Sequence, residues 1–167
     1  VKESDLRFHY GKHGKPAISK TFGKENLRFN LSHSEDVAIF VFARNNEIGV
    51  DIEHIRDIPE MEQIVRRFFS AREQVYYHAF PQDKRRDAFF YYWTSKEAFT
   101  KAIGAGLSRS LAMTDVTLVP GERNTLHINA GRPCEKRGWS IHTMQPAREY
   151  AGALATQSEN VTLRSFK

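Results

Sequence analysis

Two stretches of the chain carry acidic and basic side chains at spacings that could build a phosphate-handling site. In the first, Asp51 and Glu53 alternate with apolar residues, so a strand would present both carboxylates on one face. In the second, Glu97 and Lys101 lie four residues apart, which places them one turn apart on one face of a helix. Two carboxylates at neighbouring positions of a strand face repel each other unless a cation lies between them. Such oxygen ligands suit a hard divalent ion such as Mg²⁺.

Both stretches also have a simpler interpretation. Asp51 and Glu53 could belong to a solvated sheet face that binds no ligand. Glu97 and Lys101 could form an exposed ion pair worth only about 0.3–0.5 kcal/mol. Residue types and spacing alone leave both interpretations open.

The composition of the chain is that of a globular protein with a basic balance. Its 167 residues favour one domain or two tightly joined halves, and 40% of them are hydrophobic. The net charge of +5 suits an acidic partner or a phosphate-rich ligand, but the absence of any long basic run argues against a nucleic-acid partner. Cys134 is the single cysteine, which fits a reducing compartment. Because no apolar run approaches the length of a membrane span, we expect a cytoplasmic protein without a membrane partner.

Several strands are predicted from hydrophobic patterning. The apolar run 37–43 is typical of a strand buried on both faces, and Asn45-Asn46 could turn it into a hairpin with the alternating strand 47–53. Further strands are predicted over residues 116–119, 125–128, 139–144 and 150–156.

Three helices are predicted between these strands. Apolar residues recur at helical spacing over 58–69, and Ser70 with Glu73 matches the capping box of a second helix. A long helix starts near residue 82 and should end at Gly104, the residue type favoured just past a helix end. Helices in the middle, flanked by hairpin-like strands, favour an α+β fold over a doubly wound parallel sheet.

The two chemical stretches belong to a longer, ordered set of sequence blocks. The blocks are GKP at 14–16, NLSHS at 30–34, GVDIE at 49–53, RFFS at 67–70, WTSKEAFTKA at 93–102 and GAGL at 104–107. Together they resemble the 4′-phosphopantetheinyl transferase superfamily, and in particular its larger, surfactin-synthetase-activating type. GVDIE alone would be a weak signal, whereas the ordered set is specific and runs from about Lys12 to at least Met144.

The resemblance implies a fold and a domain organisation. Members of the larger type fold as two pseudo-symmetric α+β halves, and this chain corresponds mainly to the second, with an antiparallel sheet packed against a long helix. We expect a single transferase domain over residues 1–167, in which about 1–43 are a linker and the end of the first half and about 44–167 are the second half. Most of the first half is expected to be missing, and the face it leaves could mediate self-association.

The resemblance also implies a reaction. Members move the 4′-phosphopantetheine arm of coenzyme A onto a serine of an acyl or peptidyl carrier protein and release adenosine 3′,5′-bisphosphate. Asp51, Glu53 and Glu97 match the family's ligands of Mg²⁺, which Mn²⁺ could replace. Glu97 is also the implied base for the serine, directly or through a metal-bound water. Lys101 matches the lysine that contacts the phosphates and assists the leaving group.

Other residues match the family's contacts with the coenzyme A substrate. Ser32 and His33 resemble phosphate contacts, Lys96 a further phosphate contact beside Lys101, and Lys15 with Pro16 the loop beside the adenine.

Charge indicates the nature of the partner, and two alternative functions stay open. The clusters Arg66-Arg67 and Lys84–Arg86 suit an acidic carrier protein. One alternative is an inactive or fragmentary relative that only binds coenzyme A or carrier protein. The other is a basic nucleic-acid-binding domain, which would lose affinity steeply with salt and need no magnesium.

Overall fold

The computed structural model describes residues 6–19, 26–105, 114–118, 125–130, 139–157 and 162–164, and within these ranges it contains nine strands and three helices. The strands are β1 (Phe8–Tyr10), β2 (Pro16–Ile18), β3 (Leu27–Ser34), β4 (Val37–Arg44), β5 (Ile48–His54), β6 (Thr114–Leu118), β7 (Thr125–Ala130), β8 (Ser140–Met144) and β9 (Tyr150–Thr156). The helices are α1 (Met61–Phe68), α2 (Ala71–Ala79) and α3 (Gln82–Ile103). The predicted α+β class is confirmed.

The largest sheet has five strands in the order β5-β9-β8-β7-β6, and each neighbouring pair is antiparallel. Strand β5, which carries the carboxylates, lies at one edge of this sheet and pairs with β9. The pairs β1–β2 and β3–β4 form two separate two-stranded sheets. The carboxylates are therefore placed at a sheet edge, where other elements can approach them.

Helix α3 approaches β5 and β9 closely because the residues that face it are small. Strand β9 contributes three fully buried alanines to the core that includes α3, namely Ala151, Ala153 and Ala155. On β5, a Cβ at Gly49 would lie 2.2 Å from the carbonyl oxygen of Ala98, so a larger residue cannot fit there without displacing the helix. The helix ends as predicted at Gly104, whose φ of 64° is in the left-handed region that favours glycine.

The two short helices precede α3 in the chain. Helix α1 starts at Met61 and not at the predicted residue 58, since Pro59 disfavours helical backbone at the residue before it. The predicted capping box of α2 is confirmed: Ser70 Oγ accepts from the Glu73 amide at 3.1 Å, and Glu73 Oε2 accepts from the Ser70 amide at 2.7 Å.

The predicted hairpin between 37–43 and 47–53 is wrong. Strand β4 pairs instead with β3, in a register that runs from Leu27↔Arg44 to Ser34↔Val37, while β5 pairs with β9. Asn45 does adopt a positive φ of 65°, but it leads the chain out of the β3–β4 hairpin. A turn-forming residue bends the chain without specifying that the strands on either side of it pair.

The prediction that residues 37–43 are buried on both faces is also wrong. Alternate residues of β4 pack against the five-stranded sheet, and these are Ile39, Val41 and Ala43. Between them, Phe40 and Phe42 are 62% and 64% exposed. The continuous apolar run therefore supplies two different faces, of which one covers the sheet and the other is open.

Candidate active site

Asp51 and Lys101 meet where α3 crosses the edge strand β5. Lys101 Nζ lies 2.6 Å from Asp51 Oδ1. Ser32 on β3 joins this pair, since its hydroxyl donates to Asp51 Oδ1 at 3.0 Å and accepts from Lys101 Nζ at 2.8 Å. Asp51 is buried, whereas 32% of the Lys101 side chain remains exposed. Three of the predicted site residues are thus in direct contact, although they come from three different elements.

Strand β3 is attached to β5 by side chains. The Val50 amide donates to Asn30 Oδ1 at 2.9 Å, and the His54 amide donates to Ser34 Oγ at 3.0 Å. These bonds satisfy backbone groups at the sheet edge that would otherwise lack partners. Because side chains two apart on a strand share a face, Ser32 is directed toward β5 together with Asn30 and Ser34. The block NLSHS therefore positions Ser32.

Two buried carboxylate oxygens near this cluster have no hydrogen-bond partner in the part of the chain that the structure describes, namely Asp51 Oδ2 and Glu97 Oε1. An unpaired buried carboxylate oxygen is costly, so such a pair favours the binding of a cation or a proton donor. The donors are all oxygens, which is the ligand type that Mg²⁺ and Mn²⁺ prefer. Asp51 and Glu97 therefore fit the implied divalent ion.

The third predicted metal ligand, Glu53, lies on the same strand face as Asp51 but has other partners. Its Oε2 accepts from Ser34 Oγ at 3.3 Å and lies 3.6 Å from Arg56 Nη1. Among the described residues, no three His, Cys, Asp or Glu side chains are close enough together to hold an ion. The role of Glu53 as a metal ligand stays a prediction.

Burial and like charge both act on the carboxyls of this site. Burial raises the pKa of Asp51, and this rise is opposed by Lys101 and Ser32. Burial, followed by the negative charge of Asp51, raises the pKa of Glu97 to about 7, with a smaller contribution from Glu53. A carboxyl with a pKa near neutrality can both accept and release a proton under physiological conditions.

A cavity of about 690 Å³ opens beside Glu97 and Lys101. One stripe of α3 forms its wall, consisting of Glu97, Thr100, Lys101 and Gly104. The opposite walls come from the first three strands and the loop between β1 and β2, and they include Phe8, Tyr10, His13, Lys15, Pro16, Phe29 and Leu31. The cavity is therefore mainly apolar, with a carboxyl and an ammonium group on one side, and its volume suits a ligand of cofactor size.

Lys15 and Pro16 line this cavity, but the ammonium group of Lys15 already has partners. It donates to Glu47 Oε2 at 2.9 Å and to the carbonyl oxygen of Ala102 at the end of α3. Glu47 also accepts from Arg28 Nε at 3.1 Å. In this arrangement Lys15 attaches the β1–β2 loop to the helix, and its role beside an adenine stays a prediction.

Lys96 and His33 are not brought to the cluster around Asp51. The side chain of Lys96 is fully buried, with its Nζ 2.6 Å from Glu73 Oε2. His33 is exposed, while its neighbour Ser32 is buried, since adjacent strand residues point to opposite faces. In both cases the residue lies next to a site residue in the sequence but is directed elsewhere by the geometry of its helix or strand.

Three residues with clear roles in the structure were not assigned to the site from the sequence. Asn30 anchors β3, Glu47 holds Lys15, and Glu73 pairs with Lys96. The signal for Asn30 was its period-two spacing from Ser32. Glu73 gave only a helix-capping signal, because its pairing with α3 joins residues 23 positions apart.

Known proteins resemble this chain in sequence. A family model described as the 4′-phosphopantetheinyl transferase superfamily matches residues 47–155. The chain is 37% identical to the 4′-phosphopantetheinyl transferase Sfp of Bacillus subtilis (strain 168), over all of this chain and 72% of that protein. It is 35% identical to the 4′-phosphopantetheinyl transferase HetI of Nostoc sp. (strain PCC 7120), over 93% of this chain. It spans 62% of the HetI protein, and a little under half of a similar Synechocystis protein (43%).

The fold is also found among solved structures. A holo-(acyl-carrier-protein) synthase from Bacillus anthracis, solved in complex with CoA (3′,5′-ADP), superposes with a TM-score of 0.56 at 18% identity and covers 66% of this chain and 93% of that one. This likeness supports the fold, while the matches to Sfp and to the family model establish the relationship in sequence. Within the described ranges, no helix is both long and apolar enough to cross a membrane. The chain belongs to the 4′-phosphopantetheinyl transferase superfamily.

Proposed function

We propose that this chain transfers the 4′-phosphopantetheine arm of coenzyme A to a serine hydroxyl of an acyl or peptidyl carrier protein and releases adenosine 3′,5′-bisphosphate. The observation that carries the proposal is the pair of buried oxygens on Asp51 and Glu97 that lack partners among the described residues, beside the Lys101 ammonium. Glu97 and Lys101 also line a cavity of cofactor size. Membership of the family supports it.

The residues of the site can perform the proton and charge transfers that this reaction needs. The serine oxygen forms a bond to the phosphorus that carries the pantetheine arm, and the bond from that phosphorus to the bridging pyrophosphate oxygen breaks. Glu97 accepts the serine proton. Lys101 compensates the charge that develops on the departing phosphate. Asp51 and Ser32 hold the Lys101 ammonium in place.

Asp51 and Glu97 would hold Mg²⁺, or Mn²⁺ in its place, and we retain Glu53 as the proposed third ligand. The ion would neutralise charge on the pyrophosphate oxygens. Lys15 and Pro16 line the same cavity and are proposed to contact the nucleotide end of coenzyme A. We propose that the reaction takes place in the cytoplasm.

The test of this proposal is a transfer assay. The chain is incubated with coenzyme A, MgCl₂ and an apo carrier protein, and the carrier is weighed by mass spectrometry. The proposal predicts a mass increase of one phosphopantetheine arm, which is absent when EDTA replaces the metal or when the acceptor serine is changed to alanine. Binding of coenzyme A without any transfer would favour the binding-only alternative.

Charge supports an acidic carrier as the partner. Arg66 and Arg67 are both exposed at the end of α1, and Arg72 at the start of α2 is also exposed. In contrast, Arg85 and Arg86 are bonded within the chain, to the carbonyl oxygens of Phe80 and His78 and to the carboxylate of Asp57, respectively. We therefore assign attraction of the carrier mainly to the α1–α2 surface.

We further propose that the chain associates with a second copy through the outer face of the β3–β4 hairpin. Directly paired residues of an antiparallel hairpin share a face, and here Leu31 lies opposite Phe40. With Phe42 and Tyr10 they leave an exposed apolar surface next to the cavity. Sedimentation of wild type and of Phe40→Ser/Phe42→Ser tests this assignment, with Val75→Ser on α2 as the control. We expect a dimer that the double substitution dissociates, whereas a monomeric wild type would contradict the assignment.

A further inference from the structure

The buried pair of Lys96 and Glu73 lies outside the cavity and has no part in the proposed chemistry. Lys96 Nζ and Glu73 Oε2 are 2.6 Å apart, and the two side chains are 0% and 1% exposed. Burial raises the pKa of Glu73 and lowers that of Lys96, since removal from water penalises both charged forms, while each partner's charge opposes the shift. Replacement of such a pair by apolar groups often leaves stability unchanged, so stability alone does not explain it.

The Glu73 carboxylate connects three separate elements. Its Oε2 accepts from the Ser70 amide at the start of α2 and from Lys96 on α3. Its Oε1 accepts from the Val116 amide of β6 at 2.8 Å. Ser70 Oγ in turn donates to Asp115, again on β6. Every oxygen of Glu73 is thus bonded, and the carboxylate fixes where α3 lies relative to α2 and β6.

Helix geometry relates this attachment to the active site. Successive residues of an α-helix are rotated by about 100°, so a helix with Lys96 directed at Glu73 directs Glu97 about 100° away from it. Lys101, five positions after Lys96, is directed about 140° away and lies within about 40° of Glu97. Apolar contacts along α3 have little directional preference, whereas a hydrogen-bonded ion pair has a narrow range of geometries. The pair therefore limits the rotation of α3 about its own axis.

We propose that Lys96 and Glu73 are positioning residues for the transfer reaction: their buried bond sets the rotation of α3 that presents Glu97 and Lys101 to Asp51. The inference rests on the proposed function, because it concerns the rate of that reaction. It assigns Lys96 a task different from the phosphate contact that the family resemblance implies.

The test separates a positioning role from a merely structural one. The double variant Glu73→Gln/Lys96→Met removes both charges, so that neither partner is left buried alone. We expect a folded protein whose KM values for coenzyme A and carrier change by less than about twofold, while its kcat falls by about tenfold. This is the result expected when an interaction that acts only in the transition state is weakened. The matched control is Val65→Ala on α1, which loses buried packing but keeps both charges of the Lys96–Glu73 pair.

The outcomes distinguish this inference from the proposed function. An inactive wild type contradicts the proposed function itself. An active wild type with an unchanged kcat in the double variant overturns the positioning role alone. The positioning role is also overturned if Val65→Ala loses as much kcat as the double variant when each protein is assayed the same number of degrees below its own Tm. If the double variant does not fold, Glu73→Asp, which keeps the charge of the pair but shortens the side chain by one methylene, carries the test by the same comparison of kcat with KM.

Discussion

Helix α3 carries two lysine–carboxylate pairs that have the same distance and opposite surroundings. Lys101 and Asp51 are 2.6 Å apart, as are Lys96 and Glu73. The second pair is fully buried and every oxygen of its carboxylate has a partner. The first pair is partly open to solvent, and Asp51 Oδ2 and Glu97 Oε1 lack partners among the described residues. Glu97 lies on the same stripe of the helix as Lys101.

The difference shows how one helix can serve as both support and active site. A carboxylate whose hydrogen bonds are complete holds its surroundings in place and has no capacity left for a ligand. A carboxylate with an unused oxygen is less favourable in the free protein but retains that capacity for an ion or a substrate. We therefore assign the transfer chemistry to the Asp51 side of α3, and the positioning of the helix to the Glu73 side.

The largest effect is expected from Glu97→Gln, which removes the proposed base from the open side of the helix. Transfer should fall by about 10²–10⁴-fold, the usual contribution of a positioned general base. The measurement is the rate of carrier modification at saturating coenzyme A. Glu62→Gln, which neutralises a partly exposed carboxylate on α1, should leave this rate within about twofold of wild type. Equal losses in both variants would contradict the role of Glu97 as the base.

A large effect on stability is expected from Gly49→Ala. The close approach of α3 to β5, which places both lysine–carboxylate pairs, depends on the absence of a side chain at this position. The added Cβ would lie 2.2 Å from the Ala98 carbonyl oxygen and 2.4 Å from the Ala102 amide nitrogen, so α3 must move away from β5. We expect a loss of about 3 kcal/mol or more in the free energy of unfolding, at the upper end of the range for overpacking. Urea denaturation followed by circular dichroism measures it, with Gly11→Ala as the control, because a Cβ there meets only ordinary contact at 3.7 Å. A stable Gly49→Ala protein would show that the helix approaches β5 less closely.

A moderate effect is expected on the pH dependence of stability in metal-free buffer. The pKa of Glu97 is raised from 4.5 to about 7, so the folded protein binds this proton more tightly than the unfolded chain does. The wild type should therefore lose stability as the pH rises from about 4.5 to 7. Glu97→Gln lacks this proton, so its Tm should exceed that of wild type near pH 8, and the difference should disappear below about pH 4.5. A Tm difference that does not depend on pH would contradict the raised pKa.

The smallest effect is expected from salt. If the exposed Arg66 and Arg67 attract an acidic carrier, KM for the carrier should rise several-fold between low salt and about 0.3 M NaCl, because screening shortens the range of the attraction. KM for the carrier in Arg66→Gln/Arg67→Gln should be high at low salt and change little with added salt. A KM that is independent of salt in wild type would contradict the electrostatic attraction, without affecting the assignment of the active site.

Much of the fold was predictable because its signals are local. The ends of α3 at Gln82 and Gly104 and the capping box of α2 follow from the residue types at those positions. The pairing of β4 with β3, and the meeting of Lys96 with Glu73, depend on contacts between distant parts of the chain that no local pattern records. For the site, the sequence placed Asp51 correctly on a strand and Lys101 on a helix. The bonds of Ser32 to both residues could not be predicted, because they depend on where β3 lies in space.

The central claim is that the open side of α3 carries out transfer, and Asp51→Asn tests it most directly. Single-turnover transfer of the arm to a carrier protein, measured by mass spectrometry at saturating magnesium and coenzyme A, should be at least about 10²-fold slower than in wild type. The folded state should persist, since asparagine keeps the shape of the side chain. Asp57→Asn, which alters an aspartate whose side chain is 91% exposed, should match wild type. A rate for Asp51→Asn equal to that of Asp57→Asn would contradict the claim.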